Sequence, residues 1–373
     1  MKRFFYSLII VLILWWTYPL WEEPIREVLP VPLNNLIDSI SEHTGELLEK
    51  NDYLKKLRGH LSSPELLAPH VNDRSEQETD EKIELLAPKS QTFSIGNVEL
   101  GDTYEQVAKI YGDPVRESMN EYGLAWFTYH ENYQNFIMIA FDDDEIVRGL
   151  YTNQDLISST LGIKLGDSKT TVNNILGEPE ELIHYRQFIY QVDSDNEYDI
   201  YQIDGSYVTI FYDIQADDQV TAIQLIDQKL ELTKEALYSA HNEALREGFE
   251  YQLFDLTNAS RVKQGLSVLE WEEAVRETAR KHSTDMAENE FFNHTNLQNE
   301  TFSDRLINDG IRFIVAGENL AYGQFSSIFA HQGLMNSPGH RENILYKDFT
   351  KLGIGVDFNE SNQPFYTEMF YAD

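Results

Sequence analysis

The sequence predicts an α+β protein of four parts. Three observations carry this: an N-terminal apolar run, a middle region that repeats at a constant offset, and a C-terminal third in which helical spacing gives way to strands. Met1-Lys2-Arg3 precedes residues 4–21, which are apolar almost throughout, with Trp15, Trp16, Tyr18 and Trp21 gathered at the far end. About 18 or more such residues can cross a bilayer as a helix, aromatic rings suit its interface, and flanking lysine and arginine mark the cytoplasmic side. Residues 1–22 therefore read as a signal anchor, a transmembrane helix that leaves the rest of the chain outside. Secretion after signal cleavage is the alternative, but bulky Tyr18, Leu20 and Trp21 stand where a peptidase needs small residues.

Residues 23–91 read as a juxtamembrane helix followed by an acidic linker. Leu33, Leu36, Ile37, Ile40, Leu47, Leu48, Leu54 and Leu57 keep helical spacing, and from residue 62 the composition shifts to Ser, Pro and charge, too polar to bury. Glu-Leu-Leu-Ala-Pro occurs there twice, at 65–69 and 84–88, and reads as two helix ends before proline rather than a docking motif. Cysteine is absent, which excludes a disulfide framework and thiolate chemistry. Acidic residues outnumber basic ones by 63 to 29, a formal charge of −34. That balance argues against nucleic acid, whose binding needs cations to neutralise phosphates.

Residues 92–232 form an internal duplication. Leu100-Gly101-Asp102, Val107, Ile110, Gly112 and Pro114 recur as Leu165-Gly166-Asp167, Val172, Ile175, Gly177 and Pro179. Each unit reads as a short helix between a Gly-Asp turn and Gly-x-Pro, followed by strands at 123–130, 135–142 and 145–151, and at 184–191, 206–213 and 219–226. Asp102 and Asp167 are expected to cap the helices rather than pair as catalytic carboxylates.

Residues 233–373 begin helically. In the helix expected at 272–289, Val275, Ala279, His282 and Met286 make one buried stripe, so His282 reads as a core histidine satisfied by a single partner rather than a ligand. Three ordered motifs follow: Phe291-Phe292-Asn293-His294-Thr295, Gly317-Glu318-Asn319-Leu320, and Ser337-Pro338-Gly339-His340-Arg341-Glu342-Asn343. Glu318 is expected at a helix start. Ser337 fits an N-cap with Pro338 at the first helical position, which sets His340 on a rigid element. Gly353 and Gly355 read as tightly packed strand positions, and residues 366–371 as the closing strand of the sheet.

These motifs, with Asn258, Arg261, Gly265 and Trp271 upstream, resemble those of the CAP superfamily (cysteine-rich secretory proteins, antigen five and pathogenesis-related proteins) in its bacterial branch. Residues 92–232 resemble the domain found ahead of bacterial CAP domains, which implies an accessory or partner-binding role. The resemblance implies a C-terminal α-β-α sandwich whose cavity is lined by His294, Glu318 and His340, with Ser337 and Asn343 beside them, and which holds a small ligand or a divalent metal such as Zn²⁺. Ser337 stands where the fuller family pattern has a second cavity glutamate, Leu334 replaces a usual tryptophan, and Glu368 replaces a frequent glutamine.

Two neutral imidazoles and a carboxylate suit a zinc site with one position open for water, although the long spacing lacks the compact helix signature of a zinc protease. A Ser337–His340 nucleophile and base is disfavoured, because a capping serine has its oxygen occupied by backbone donors. Three functions stay open on the sequence. They are recognition of a small ligand or envelope component, metal-assisted hydrolysis of a peptide or wall polymer with Glu318 as ligand or base, and a purely structural polar network; none fixes a catalytic residue.

Overall fold

The computed structural model describes residues 83–373, which lie within one compact unit. The expected anchor, the juxtamembrane helix and most of the linker fall outside the described residues. Among those described, no helix is long and apolar enough to cross a membrane.

The duplication builds one continuous sheet. After β1 (Phe93–Ile95), the first unit runs α1 (Tyr104–Tyr111), β2 (Arg116–Met119), β3 (Ala125–Glu131), β4 (Gln134–Phe141) and β5 (Val147–Thr152). A connecting β6 (Ile157–Ser159) pairs back on β1, and the second unit follows with α2 (Lys169–Leu176), the hairpin β7 (Leu182–His184) and β8 (Ile189–Gln191), then β9 (Tyr198–Ile203), β10 (Ser206–Asp213) and β11 (Gln219–Asp227). The seven-stranded antiparallel order is β2-β3-β4-β5-β11-β10-β9. The halves meet where the last strands of each unit pair, from Thr152 opposite Ile223 to Gly149 opposite Ile226.

Two expectations need correction. The helix caps are Thr103 and Ser168, whose hydroxyls accept from the backbone of Gln106 and Thr171. Asp102 and Asp167 sit one residue earlier, each carboxylate accepting from a turn amide, Glu99 N and Lys164 N, at 2.9 Å. The aspartates are thus consumed by the turn, and the adjacent hydroxyl is left to cap. The strand expected at 184–191 is the hairpin β7–β8, because Tyr185 N donates to Phe188 O across a turn and the two rings stack at 4.3 Å.

One face of this sheet buries Ile137, Ile139, Leu150, Val208 and Ile223 beneath Val107 and Val172 of its own helices. The opposite face presents Trp126, Phe136, Tyr151 and Phe211, and these pack on Leu256, Ala259, Ile328 and Phe329 from the C-terminal region. That region follows a single turn, α3 (Gln228–Glu231), and runs α4 (Glu243–Lys263), β12 (Glu270–Trp271), α5 (Glu273–Asn289), α6 (Phe302–Asn308), β13 (Val315–Tyr322), α7 (Ser327–Asn336), α8 (Pro338–Ile344), β14 (Lys351–Phe358) and β15 (Pro364–Ala372).

Its sheet order is β12-β14-β15-β13. Residues 366–371, expected to close the sheet, lie in an interior strand, because β13 pairs with the outer side of β15. Leu253, Ala330 and Ile344 of α4, α7 and α8 cover one face, and Val275, Ala279 and Leu306 of α5 and α6 cover the other. The fold is the expected α-β-α sandwich.

Helix α5 approaches this sheet closely because β14 offers glycines there. A Cβ at Gly353 would fall 2.3 Å from Arg276 N, and one at Gly355 2.0 Å from Arg280 N. Gly355→Ala is therefore expected to destabilise by about 1–3 kcal/mol, the usual cost of overpacking. A urea midpoint equal to that of the parent protein would refute this close-packing account.

Candidate functional site

The three motifs converge. His294 lies in the loop after α5, Glu318 in β13, and Ser337 and His340 at the start of α8. Glu318 is not at a helix start. Strand pairing sets it opposite Met369, with Asn319 opposite Glu368, so Glu318 and Asn319 point to opposite faces of the sheet.

Glu318 is buried, with its side chain fully enclosed, and each of its oxygens is engaged. His294 Nδ1–H donates to Oε1 at 2.9 Å from a ring whose side chain is 55% exposed. The Arg305 guanidinium donates to Oε2 and also reaches the backbone oxygens of His294 and Glu300 at 3.0 and 3.1 Å. In the neutral His294 ring, Nε2 is left as an acceptor facing solvent.

His340 is half-buried, and its Nδ1 lies 2.9 Å from Ser337 Oγ. Burial, with the neighbouring His294 ring, holds its pKa below the ordinary value, so the neutral imidazole is favoured. Ser337 holds the N-cap position with Pro338 behind it, but its hydroxyl makes no cap bond to the backbone. The capping expectation is corrected on this point: the oxygen serves the His340 ring. No catalytic triad results, since the carboxylate that would orient the histidine is on His294.

On the other face of β13 a buried polar chain sets the position of α8. Asn343 Nδ2 donates to Glu318 O at 3.2 Å and to Asn319 Oδ1 at 2.9 Å. Asn319 Nδ2 in turn donates to His340 O at 3.1 Å and to Glu368 Oε2 at 2.9 Å, and Thr257 Oγ1 donates to Glu368 Oε1 at 2.9 Å. Burial pushes the Glu368 carboxyl up to about 7 against these hydrogen bonds. Arg261, wholly buried in α4, donates to Ile344 O and Tyr346 O at 2.8 and 2.9 Å. A cation thus holds the C-terminal carbonyls of the helix that carries His340. Asn343 is a positioning residue rather than a cavity wall.

The donor set does not fit a metal. Among the described residues no three His, Asp or Glu side chains are grouped to hold an ion. The ligand set expected of His294, His340 and Glu318 fails because the carboxylate is already paired with a guanidinium, whose charge would repel a cation. His282 behaves as a core histidine: it is buried, its Nε2–H donates to Asn293 O at 3.0 Å, and burial together with the Arg305 charge lowers its pKa.

Arg305 is the residue that sequence reasoning missed. It lies in a seven-residue helix outside all three motifs, and its basic charge between the first two is shared by Arg312, so nothing local singled it out. A cavity of about 220 Å³ lies on the α5–α6 flank, lined by His282, Glu300 and Arg305 but not by His294, Glu318 or His340. The exposed rings of Phe292, two residues before His294, and Tyr322, at the end of β13, stand 4.6 Å apart.

Residues 254–370 match the cysteine-rich secretory protein family, CAP, and residues 100–237 match the family described as CAP-associated N-terminal. The uncharacterized membrane protein YlbC of Bacillus subtilis (strain 168) is 29% identical over 289 residues, covering 73% of this chain and 82% of its own. The uncharacterized protein YkwD of the same strain is 39% identical over 107 residues, 29% of this chain and 42% of its own. Among solved structures, an extracellular SCP-domain protein from Bacillus anthracis str. Ames has a TM-score of 0.65 at 24% identity, covering 79% of this chain and 99% of its own. A cysteine-rich secretory protein from Staphylococcus aureus has a TM-score of 0.60 at 14% identity, covering 78% of this chain and 100% of its own. These two likenesses concern the fold.

Proposed function

Because the chain belongs to the CAP superfamily, with a CAP-associated domain ahead of its CAP domain, we propose that it is an envelope recognition protein that binds a small polar ligand or wall component. The site would be the surface where the His294 and His340 rings come near each other. The observation that carries this reading is the state of Glu318: buried, with one oxygen on His294 and the other on Arg305. A carboxylate with both oxygens already engaged has little left for a metal, whereas it fixes the orientation of the His294 ring. His340, kept neutral, offers a second hydrogen-bonding ring, and Phe292 and Tyr322 supply an apolar surface. Such a combination orients a ligand by a few polar contacts beside aromatic area.

The location rests on the apolar run at 4–21, with Lys2 and Arg3 on its inner side, and the description of YlbC as a membrane protein agrees with it. The chain would then be held at the membrane by a single pass, with both domains outside and the duplicated domain available to an envelope partner.

The test uses the full chain in detergent micelles, mixed with purified peptidoglycan sacculi, and measures both co-sedimentation and release of soluble fragments. Binding without release is expected, weakened about tenfold by His340→Ala or His294→Ala through the loss of one anchoring hydrogen bond. Fragment release abolished by either substitution would establish an enzyme instead, and binding unchanged in both variants would remove the site.

A further inference from the structure

We propose that a second cleft, between the duplicated domain and the CAP domain, binds a primary ammonium group. This inference does not rest on the His294–His340 site. A cavity of about 200 Å³ opens where the turn from β8 to β9 faces α7 and the loop before it. That is room for several waters, each taking about 30 Å³. Clefts at domain boundaries with aromatic walls and few polar groups are the usual form of a small-ligand site.

The wall chemistry selects the ligand. Tyr190, Tyr198 and Phe329 line the cavity, and the last two meet edge to face with ring centres 5.0 Å apart. The charged groups that line it, Asp193, Asp195 and Glu197, are all acidic. The half-buried Glu197 carboxylate has Asp195 as its charged neighbour and no cation to pair with. No lysine, arginine or histidine is among the lining residues.

A matching ligand must bring positive charge and at least two N–H donors. Ammonium to carboxylate is a charge-assisted hydrogen bond, and a cation is drawn to aromatic faces. A quaternary ammonium satisfies the charge but brings no donor for the Glu197 carboxylate. An alcohol supplies one donor and no charge. Anions are repelled by the site as well as by the whole chain at −34.

The test titrates the full chain in detergent micelles by calorimetry with n-butylammonium, n-butanol and tetramethylammonium. Saturable n-butylammonium binding is expected, with each comparator about tenfold weaker or worse. Glu197→Gln should weaken n-butylammonium about tenfold, and Tyr190→Leu should weaken it too, while both variants keep their melting temperature. Glu360→Gln removes the same charge from an exposed loop and should change nothing, as should His340→Ala. Equal effects of Glu197→Gln and Glu360→Gln would reduce the binding to a counterion atmosphere. Equal binding of n-butanol would reduce the cleft to an apolar pocket. Either result overturns the proposal.

Discussion

Arg305→Met is expected to destabilise the protein by about 3–5 kcal/mol, the cost of removing one partner from a buried ion pair. The Glu318 side chain is fully enclosed and that of Arg305 is 6% exposed. The substitution leaves a carboxylate with one hydrogen bond to His294 and no counter-charge. It also frees the carbonyls of His294 and Glu300 from the guanidinium that tethers them. A second change, Glu318→Gln, removes the stranded charge, so the double variant should regain most of the loss. Urea denaturation of the two single variants and the double variant gives the coupling directly. A loss below about 1 kcal/mol for Arg305→Met, the range of an exposed pair, would mean that the pair does not organise the site.

Glu368→Gln is expected to act in the opposite direction. In the folded chain burial raises the Glu368 carboxyl from 4.5 to about 7. Between these values the native protein keeps a proton that the unfolded chain has released, so stability from this group is full below about pH 4.5 and lost as pH rises through about 7. Above pH 7 the accumulated penalty is about 3 kcal/mol. Glutamine cannot ionise, and its amide still accepts from Asn319 Nδ2 while donating to Thr257 Oγ1. The variant should therefore gain up to about 3 kcal/mol at pH 8 and little at pH 5. A gain of equal size at both pH values would show that packing, rather than ionisation, sets the difference. Since Asn319 also holds His340 O, the same proton is coupled to the placement of the candidate site.

The sequence made some of this legible and hid the rest for physical reasons. The duplication was readable because glycine turns and helix apolar positions recur at one offset, and β4, β10 and β11 followed from their apolar runs. β2 and β9 were not anticipated: Arg-Glu-Ser-Met has little local strand signature and owes its state to neighbours in the sheet, whereas Tyr-Asp-Ile-Tyr-Gln-Ile is rich in strand formers and was legible but not used. Glu318 was assigned to a helix start because Gly-Glu-Asn before apolar residues resembles a cap, whereas pairing with β15 decides the outcome. His294 and His340 were found through ordered motifs. The Arg305–Glu318 pair joins a short helix to a strand 13 residues away, and no local periodicity encodes such a meeting.

The way the seven-stranded sheet is covered has a further consequence. Its two halves carry their own helices on one side only, and the aromatic face of Trp126, Phe136, Tyr151 and Phe211 is roofed by α4 and α7. Severing the chain near residue 240 would lay that face open to water and strip the same helices of their floor. The two family modules should accordingly melt in a single calorimetric peak, as one cooperative folding unit, although their sequences are recognised separately.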